Sequence, residues 1–173
     1  MKTMYDKKMK QAGPQSRTPE QALAALMRLC ARAEKSSGDA LRLMARWGVP
    51  EEARRTVLER LVREKFIDDG RYAGAFVREK TRLGGWGAYK IRSALVAKGV
   101  DRTVIETALA EYGDSGTERL GQLLARRRRQ SKPGEEPCKT KARLVRYGIS
   151  LGYDYGTVLE EVEKTMNDEE DDR

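Results

Sequence analysis

Residues 68–100 read DDGRYAGAFVREKTRLGGWGAYKIRSALVAKGV and carry the clearest structural pattern of this 173-residue chain. Apolar side chains recur in this stretch every three or four residues, and glycines at 84–85 and at 99 interrupt the pattern. Such spacing is typical of amphipathic α-helices, and a glycine just beyond the last turn is a common helix end. The stretch therefore predicts one helix from Asp68 or Asp69 to Gly84 and a second from about Gly87 to Lys98.

Similar signals predict seven more helices. Thr18 with Gln21 forms a capping box around Pro19, which suits the first position of a helix. A second capping box, Ser115 with Glu118, opens a helix that runs to Arg129. The remaining expected ranges are 37–48, a helix opening at 50–52, 101–113, and two shorter helices over about 138–148 and 155–166. No strand pattern competes, so the fold class is all-α.

A glycine followed by an apolar residue recurs at a nearly constant interval. The three pairs are Gly48-Val49, Gly99-Val100 and Gly152-Tyr153. Eight and four residues before the glycine, Ala40 and Met44 of the first copy match Ile91 and Leu95 of the second. The third copy keeps an apolar residue, Leu144, at the first of these positions but has Gly148 at the other. A recurring interval of this length indicates a repeat protein, in which neighbouring units bury what one unit alone leaves exposed. We expect three tandem three-helix repeats stacked into an elongated, curved molecule, with the second helix of the third repeat the least stable.

The expected organisation follows from these repeats and from composition. It comprises a flexible basic arm (1–17), repeat 1 (18–67), repeat 2 (68–113), repeat 3 (114–166) and an acidic disordered tail (167–173).

The charge of the chain is strongly basic except at its C-terminal end. The formal net charge is +8, yet the last seven residues contain five acids and one base. A basic body favours a polyanion or an acidic protein surface as partner. The acidic tail either increases solubility or covers the basic surface and competes with that partner.

Catalytic and metal-binding chemistry finds little support in the composition. There is no histidine, and Cys30 and Cys138 do not have the spacing of a zinc or redox motif. No glycine loop precedes a Lys-Ser/Thr pair as in nucleotide hydrolases. We therefore expect no enzyme activity, cofactor or metal, no membrane segment, a cytoplasmic location and a monomer.

The order of motifs in residues 68–100 closely resembles the RecX family, the bacterial regulators of the RecA recombinase. The resemblance rests on the acidic pair, Arg71-Tyr72-Ala73, Phe76-Val77-Arg78, the glycine turn, and Ile91 followed by Leu95 and Lys98-Gly99. It extends more loosely over residues 20–166. It implies a protein that lies in the groove of the RecA–DNA filament and inhibits strand exchange, ATP hydrolysis and co-protease activity. DNA repair, recombination and the SOS response would be limited in consequence.

Helix geometry suggests which basic residues face a partner. Arg71, Arg78 and Arg82 fall within a strip about 40° wide, at about 100° per residue, while Tyr72, Phe76 and Leu83 belong to the apolar side. Such a strip can bind the phosphates of single- or double-stranded DNA, or it can bind carboxylates of RecA. The remaining possibility is that it is simply exposed to solvent. The candidate contact residues are Arg42, Arg46, Arg71, Arg78, Arg82, Lys90, Arg92, Lys98, Arg126, Arg127, Arg128, Arg129 and Arg143. The alternative function is direct DNA binding of helix-turn-helix type without RecA.

Overall fold

The computed structural model describes residues 16–113, 115–131 and 134–167, and these residues form nine α-helices and no strand. The helices are α1 (Pro19–Cys30), α2 (Ser37–Arg46), α3 (Glu51–Arg63), α4 (Asp69–Gly84), α5 (Ala88–Ala97), α6 (Arg102–Tyr112), α7 (Ser115–Arg129), α8 (Pro137–Ser150) and α9 (Tyr155–Asn167). The predicted all-helical class is confirmed. Most of the predicted basic arm and acidic tail, and the Ser115 side chain of the predicted capping box, lie outside the described residues.

Several helices begin where a capping side chain was expected. The Thr18 hydroxyl accepts from the Gln21 amide (3.2 Å), and the Gln21 side chain accepts from the Thr18 amide (3.1 Å). Asp68 accepts from the Arg71 amide (3.0 Å) and so opens α4. Asp101 opens α6 by accepting from the Thr103 amide (2.8 Å). Each cap satisfies an amide that the helix itself leaves without a partner.

The chain divides into two compact units, one of residues 1–35 and 39–67 and one of residues 36–38 and 68–173. In the first unit, Leu26, Met44 and Leu61 are fully buried in one apolar cluster. These side chains come from α1, α2 and α3 respectively, so the three helices share a core.

The second unit contains two apolar clusters. One gathers Val77, Ile91 and Ile105 from α4, α5 and α6, and the other gathers Leu124, Leu144 and Val162 from α7, α8 and α9. Thus every cluster of the described residues is built by three consecutive helices.

The two clusters of the second unit meet at a backbone junction. The Gly87 amide donates to the Leu151 carbonyl (2.8 Å), and the Tyr89 amide donates to the Gly152 carbonyl (3.1 Å). The segment that opens α5 is therefore tied to the turn between α8 and α9.

The repeated glycines adopt the conformation that the repeat pattern requires. Their φ values are +70° at Gly48, +74° at Gly99 and +92° at Gly152, and residues other than glycine rarely adopt such positive values. Gly148, the mismatch of the third copy, is buried, and a Cβ there would lie 2.7 Å from a methyl group of Val158. The missing side chain thus admits α9. α8 is also longer than predicted, with 14 residues against 10 in α2 and α5.

The buried face of α4 differs from the expected one. It is formed by Ala73, Val77 and Thr81. Leu83, assigned to the apolar side, is 81% exposed. That assignment is wrong because Leu83 lies in the last turn, about 120° around the helix from Val77.

Candidate functional site

The arginines of α4 form an exposed strip in the second unit. Arg71, Arg78 and Arg82 are exposed, on a helix whose opposite flank packs into the core through Ala73 and Val77. At a rise of 1.5 Å per residue, the eleven steps from residue 71 to residue 82 make the strip about 16 Å long. We call these three residues the α4 strip. A well-packed helix presents them in a fixed row, which suits a row of phosphates or carboxylates.

Within the α4 strip, Arg78 and Arg82 form no ion pair with any described carboxylate. Glu79, three residues before Arg82, instead pairs with Lys80 (2.8 Å). The charges of Arg78 and Arg82 are therefore not neutralised by the surrounding described side chains.

Arg42 and Arg46 lie on α2 in the first unit, and both are exposed. Arg42 pairs with Asp39 across 2.7 Å, with half of its side chain exposed. The Asp39 side chain is only 22% exposed, so a partner that binds Arg42 would share it with this ion pair.

Three further candidates are engaged within the second unit. Arg92 binds Glu106 through two hydrogen bonds (2.6 and 2.9 Å), which join α5 to α6 and hold the pKa of the Glu106 carboxyl below its usual value. The Lys90 ammonium lies 4.7 Å from the centre of the Trp86 ring, and Lys98 is half-buried at the end of α5. These side chains have structural contacts that a partner would need to replace or share.

The run Arg126–Arg129 divides between two roles. Arg128 is half-buried and donates to the carbonyl of Thr165 in the last turn of α9. Arg126, Arg127 and Arg129 are exposed and form no ion pair with a described carboxylate, while the Arg127 guanidinium lies 5.5 Å from the Tyr147 ring.

Arg143, the last candidate, is held locally. Its guanidinium donates to Ser131 and to Glu135, the latter at 3.0 Å. Three-quarters of each side chain in the Arg143–Glu135 ion pair is buried. Arg143 therefore holds the loop before α8 in place. It offers a partner little free surface.

A cleft of about 590 Å³ in the second unit was not anticipated from the sequence. Trp86, Tyr89, Tyr112 and Tyr153 contribute its aromatic walls. The Tyr153 hydroxyl donates to the Gly116 carbonyl (2.8 Å), and burial raises the pKa of Tyr153 to about 12. The tyrosines are scattered at positions 89, 112 and 153, so only the folded chain brings them together.

The described ranges contain no group of three or more His, Cys, Asp or Glu side chains placed to hold a metal ion. Among the same residues, no helix is both long enough and apolar enough to cross a bilayer.

Comparison with known proteins gives a consistent result. A family model described as RecX, second three-helix domain, matches residues 68–109. The regulatory protein RecX of Mycobacterium ulcerans (strain Agy99) is 32% identical over 156 residues, which are 89% of this chain and 90% of that protein. The regulatory protein RecX of Pseudomonas savastanoi pv. phaseolicola is 32% identical over 79% of this chain and 86% of its own length. The crystal structure of RecX from Lactobacillus salivarius has the same fold, with a TM-score of 0.75 and 18% identity over 85% of this chain and 96% of that chain.

Proposed function

Since this chain belongs to the RecX family, we propose that it is a regulatory protein that binds the RecA filament on DNA and inhibits the recombinase. The identity to relatives named regulatory protein RecX, over nine-tenths of the length of one of them, supports the regulatory role. We assign the contact surface to the α4 strip, because its three arginines are exposed and lie within the segment that the family model matches.

The proposed mechanism is preferential binding. A protein that binds one state of a filament shifts the population toward that state by its differential affinity. Arg71, Arg78 and Arg82 would donate paired hydrogen bonds to phosphates or carboxylates along the filament groove. Filament growth, ATP hydrolysis and co-protease activity then decline, which limits recombination and the SOS response. In this role the chain acts as a cytoplasmic monomer and needs no catalytic group of its own.

The direct test is the DNA-dependent ATPase of RecA and the lifetime of its filaments, measured with and without this protein. We expect both to fall as the protein is added. Unchanged ATPase and lifetime at saturating concentration would refute the proposal.

A variant test identifies the surface. Replacing Arg71, Arg78 and Arg82 by Ala should weaken filament binding. If the three contact phosphates, the slope of log affinity against log salt should become shallower by about two to three. The matched control replaces three exposed arginines of other helices, Arg28, Arg55 and Arg102, by Ala. Equal losses in both variants would mean that overall charge, not the α4 strip, determines binding.

Direct DNA binding without RecA is the alternative. In a helix-turn-helix arrangement of the first three helices, α3 would be the recognition helix, and its opening turn carries Glu51 and Glu52, both exposed. Phosphates repel carboxylates at that position, so this helix is poorly suited to a DNA groove. Sequence-specific binding to short duplexes in the absence of RecA would favour the alternative.

A further inference from the structure

A small pocket of about 200 Å³ lies between α7 and α8. Its walls are formed by four residues of α7 and one of α8: Leu123, Arg126, Arg127, Gln130 and Tyr147. The four α7 residues follow the spacing i, i+3, i+4 and i+7, so they lie within about 100° of the helix circumference. Arg129, two positions beyond Arg127, lies about 160° around the helix from it. Two exposed arginines of this run therefore converge on one pocket, and Arg129 does not.

The pocket carries positive charge that the described side chains do not balance. Arg126 and Arg127 form no ion pair with a described carboxylate, and the described residues that line the pocket include no Asp or Glu. The carbonyls in the last turn of α7 contribute a partial charge of about −0.5, which the two guanidinium groups exceed about four times. The pocket is therefore suited to an anion.

Two contacts hold one of the donors in place. The Arg127 guanidinium lies 5.5 Å from the centre of the Tyr147 ring, and its Nη1 donates to the Gln130 side-chain oxygen across 3.5 Å. Because that oxygen accepts from Arg127, the amide nitrogen of Gln130 is left to donate to a ligand. The same contacts orient Arg127 in advance, so less side-chain freedom is lost when an anion binds.

From this pocket we propose that Arg126, Arg127 and Gln130 bind one backbone phosphate of a nucleic-acid strand. Guanidinium groups match the oxygen atoms of a phosphate with paired hydrogen bonds. The pocket has the volume of about seven water molecules, at about 30 Å³ each, which admits a phosphate group and leaves the sugar and base outside. All three side chains are exposed, so the pocket is open to solvent and a strand can enter and leave it.

This site lies outside residues 68–109, which the family model matches, and its ligand does not include RecA. Contacts to phosphates carry no sequence information, so the site predicts binding of single-stranded oligonucleotides of any sequence in the absence of RecA. A chain that leaves the RecA ATPase unchanged can still bind a strand here. The failure of one proposal therefore leaves the other intact.

Binding of a fluorescent single-stranded oligonucleotide over a range of salt concentrations tests the site. The variant Arg126→Gln with Arg127→Gln should bind about five- to tenfold more weakly at low salt, and its slope of log affinity against log salt should become shallower by about 0.7, the value for one phosphate of a single strand. The control Arg102→Gln with Arg129→Gln removes the same charge at exposed positions outside the pocket, and its affinity should fall less than about twofold. Equal losses of affinity in the two variants would overturn the proposal.

Nuclear magnetic resonance of the unaltered, isotopically labelled chain locates the phosphate. Addition of oligothymidylate should shift the Nε–Hε signals of Arg126 and Arg127 and the side-chain amide signals of Gln130, and leave that of Arg129 in place. An oligonucleotide with an uncharged methylphosphonate backbone should cause no such shifts. Inorganic phosphate at the same phosphate concentration should cause much smaller ones, because a strand holds many phosphates near the surface at once.

Three results of this titration would contradict the proposal. No shift of the two arginine signals with oligothymidylate would mean that no strand enters the pocket. Equal shifts with the uncharged backbone would assign the pocket to a base, and equal shifts with inorganic phosphate would assign it to a free anion.

Discussion

The backbone junction of the second unit predicts a strong effect of one methyl group. Gly87 has a φ of −83°, which any residue adopts, so Gly87→Ala introduces no backbone strain. Its Cβ, however, would lie 2.5 Å from the carbonyl carbon and oxygen of Gly152 and 2.6 Å from the Tyr153 nitrogen. All three are backbone atoms, so no side-chain rotation relieves the overlap.

The size of the effect follows from the displacement that relief requires. An ordinary contact of about 3.5 Å needs the two backbones to separate by about 1 Å. The bonds from Gly87 to Leu151 (2.8 Å) and from Tyr89 to Gly152 (3.1 Å) then exceed hydrogen-bonding distance. Overpacking costs about 1–3 kcal/mol and each lost bond about 0.5–1.5 kcal/mol. Because the two responses partly replace each other, we expect a destabilisation of about 2–4 kcal/mol.

Urea unfolding followed by tryptophan fluorescence measures this loss. The Trp47→Phe background leaves Trp86, which packs against the apolar cluster of α4–α6, as the only fluorophore of its kind. With a slope of about 2 kcal/mol per M, the midpoint should fall by about 1–2 M. Gly116→Ala is the matched control, because its Cβ would meet the nearest Tyr153 atom at an ordinary 3.8 Å, and its stability should not fall, since Ala favours a helix over Gly. A midpoint for Gly87→Ala as high as that of the control would show that Gly87 and Gly152 do not approach each other this closely.

Three more predictions concern stability and ionisation. Lys65 has a φ of +62°, which is strained for a residue with a side chain, so Lys65→Gly should stabilise the first unit by about 1 kcal/mol. The urea midpoint, followed by the fluorescence of Trp47, should rise. A lower midpoint would contradict the backbone strain. The Asp101 and Asp154 carboxyls cap helices, and bonds from Thr103 and Thr157 respectively lower their pKa values below 3.8. Because the pKa of each carboxyl is lower in the folded chain than in the unfolded chain, each contributes stability above pH 3.8 that is lost as the pH falls further. The double variant Asp101→Asn and Asp154→Asn should therefore show a urea midpoint that depends less on pH between pH 5 and pH 3. Burial raises the pKa of Tyr153 to about 12. When tyrosine ionisation is followed by ultraviolet absorbance, the signal that the Tyr153→Phe variant lacks should therefore appear near pH 12. If that signal appeared near pH 10, the Tyr153 hydroxyl would not be buried.

Helix positions were predictable because their signals are local. Thr18, Asp68 and Asp101 begin helices through bonds to amides two or three residues away, which the sequence displays directly. The positive φ at Gly48 and Gly99 likewise depends on a turn of a few residues. Local physics of this kind is visible in a single chain.

Contacts between distant segments were not predictable in the same way. Gly87 read as a helix boundary and Gly148 as a defect of the third repeat, yet each is a place where another backbone or side chain approaches closely. The role of a missing Cβ can be recognised only when the segment that occupies its space is known. Gly152 lies 65 residues after Gly87, and Val158 lies on a different helix from Gly148. Residue spacing alone therefore does not identify these pairs as contacts.

The arginines show why charge in a sequence does not by itself define a contact surface. Arg92 and Arg143 were contact candidates alongside Arg78, but Glu106 and Glu135 form ion pairs with them. Helical spacing predicts a competitor for Arg82 as well, since Glu79 is three residues away. In the folded chain that carboxylate pairs with Lys80 instead. Arg82 thus keeps its charge because the neighbouring Lys80, whose ammonium lies 5.3 Å from the centre of the Phe76 ring, pairs with Glu79, the only acid of α4 beyond its first turn. Replacing Lys80 by Met should release Glu79 toward Arg82 and weaken polyanion binding more than the loss of one charge does. The control Lys139→Met, at an exposed position of α8, should reduce binding only by the effect of one charge. Equal losses of oligonucleotide affinity in the two variants would refute this account of why the strip is available.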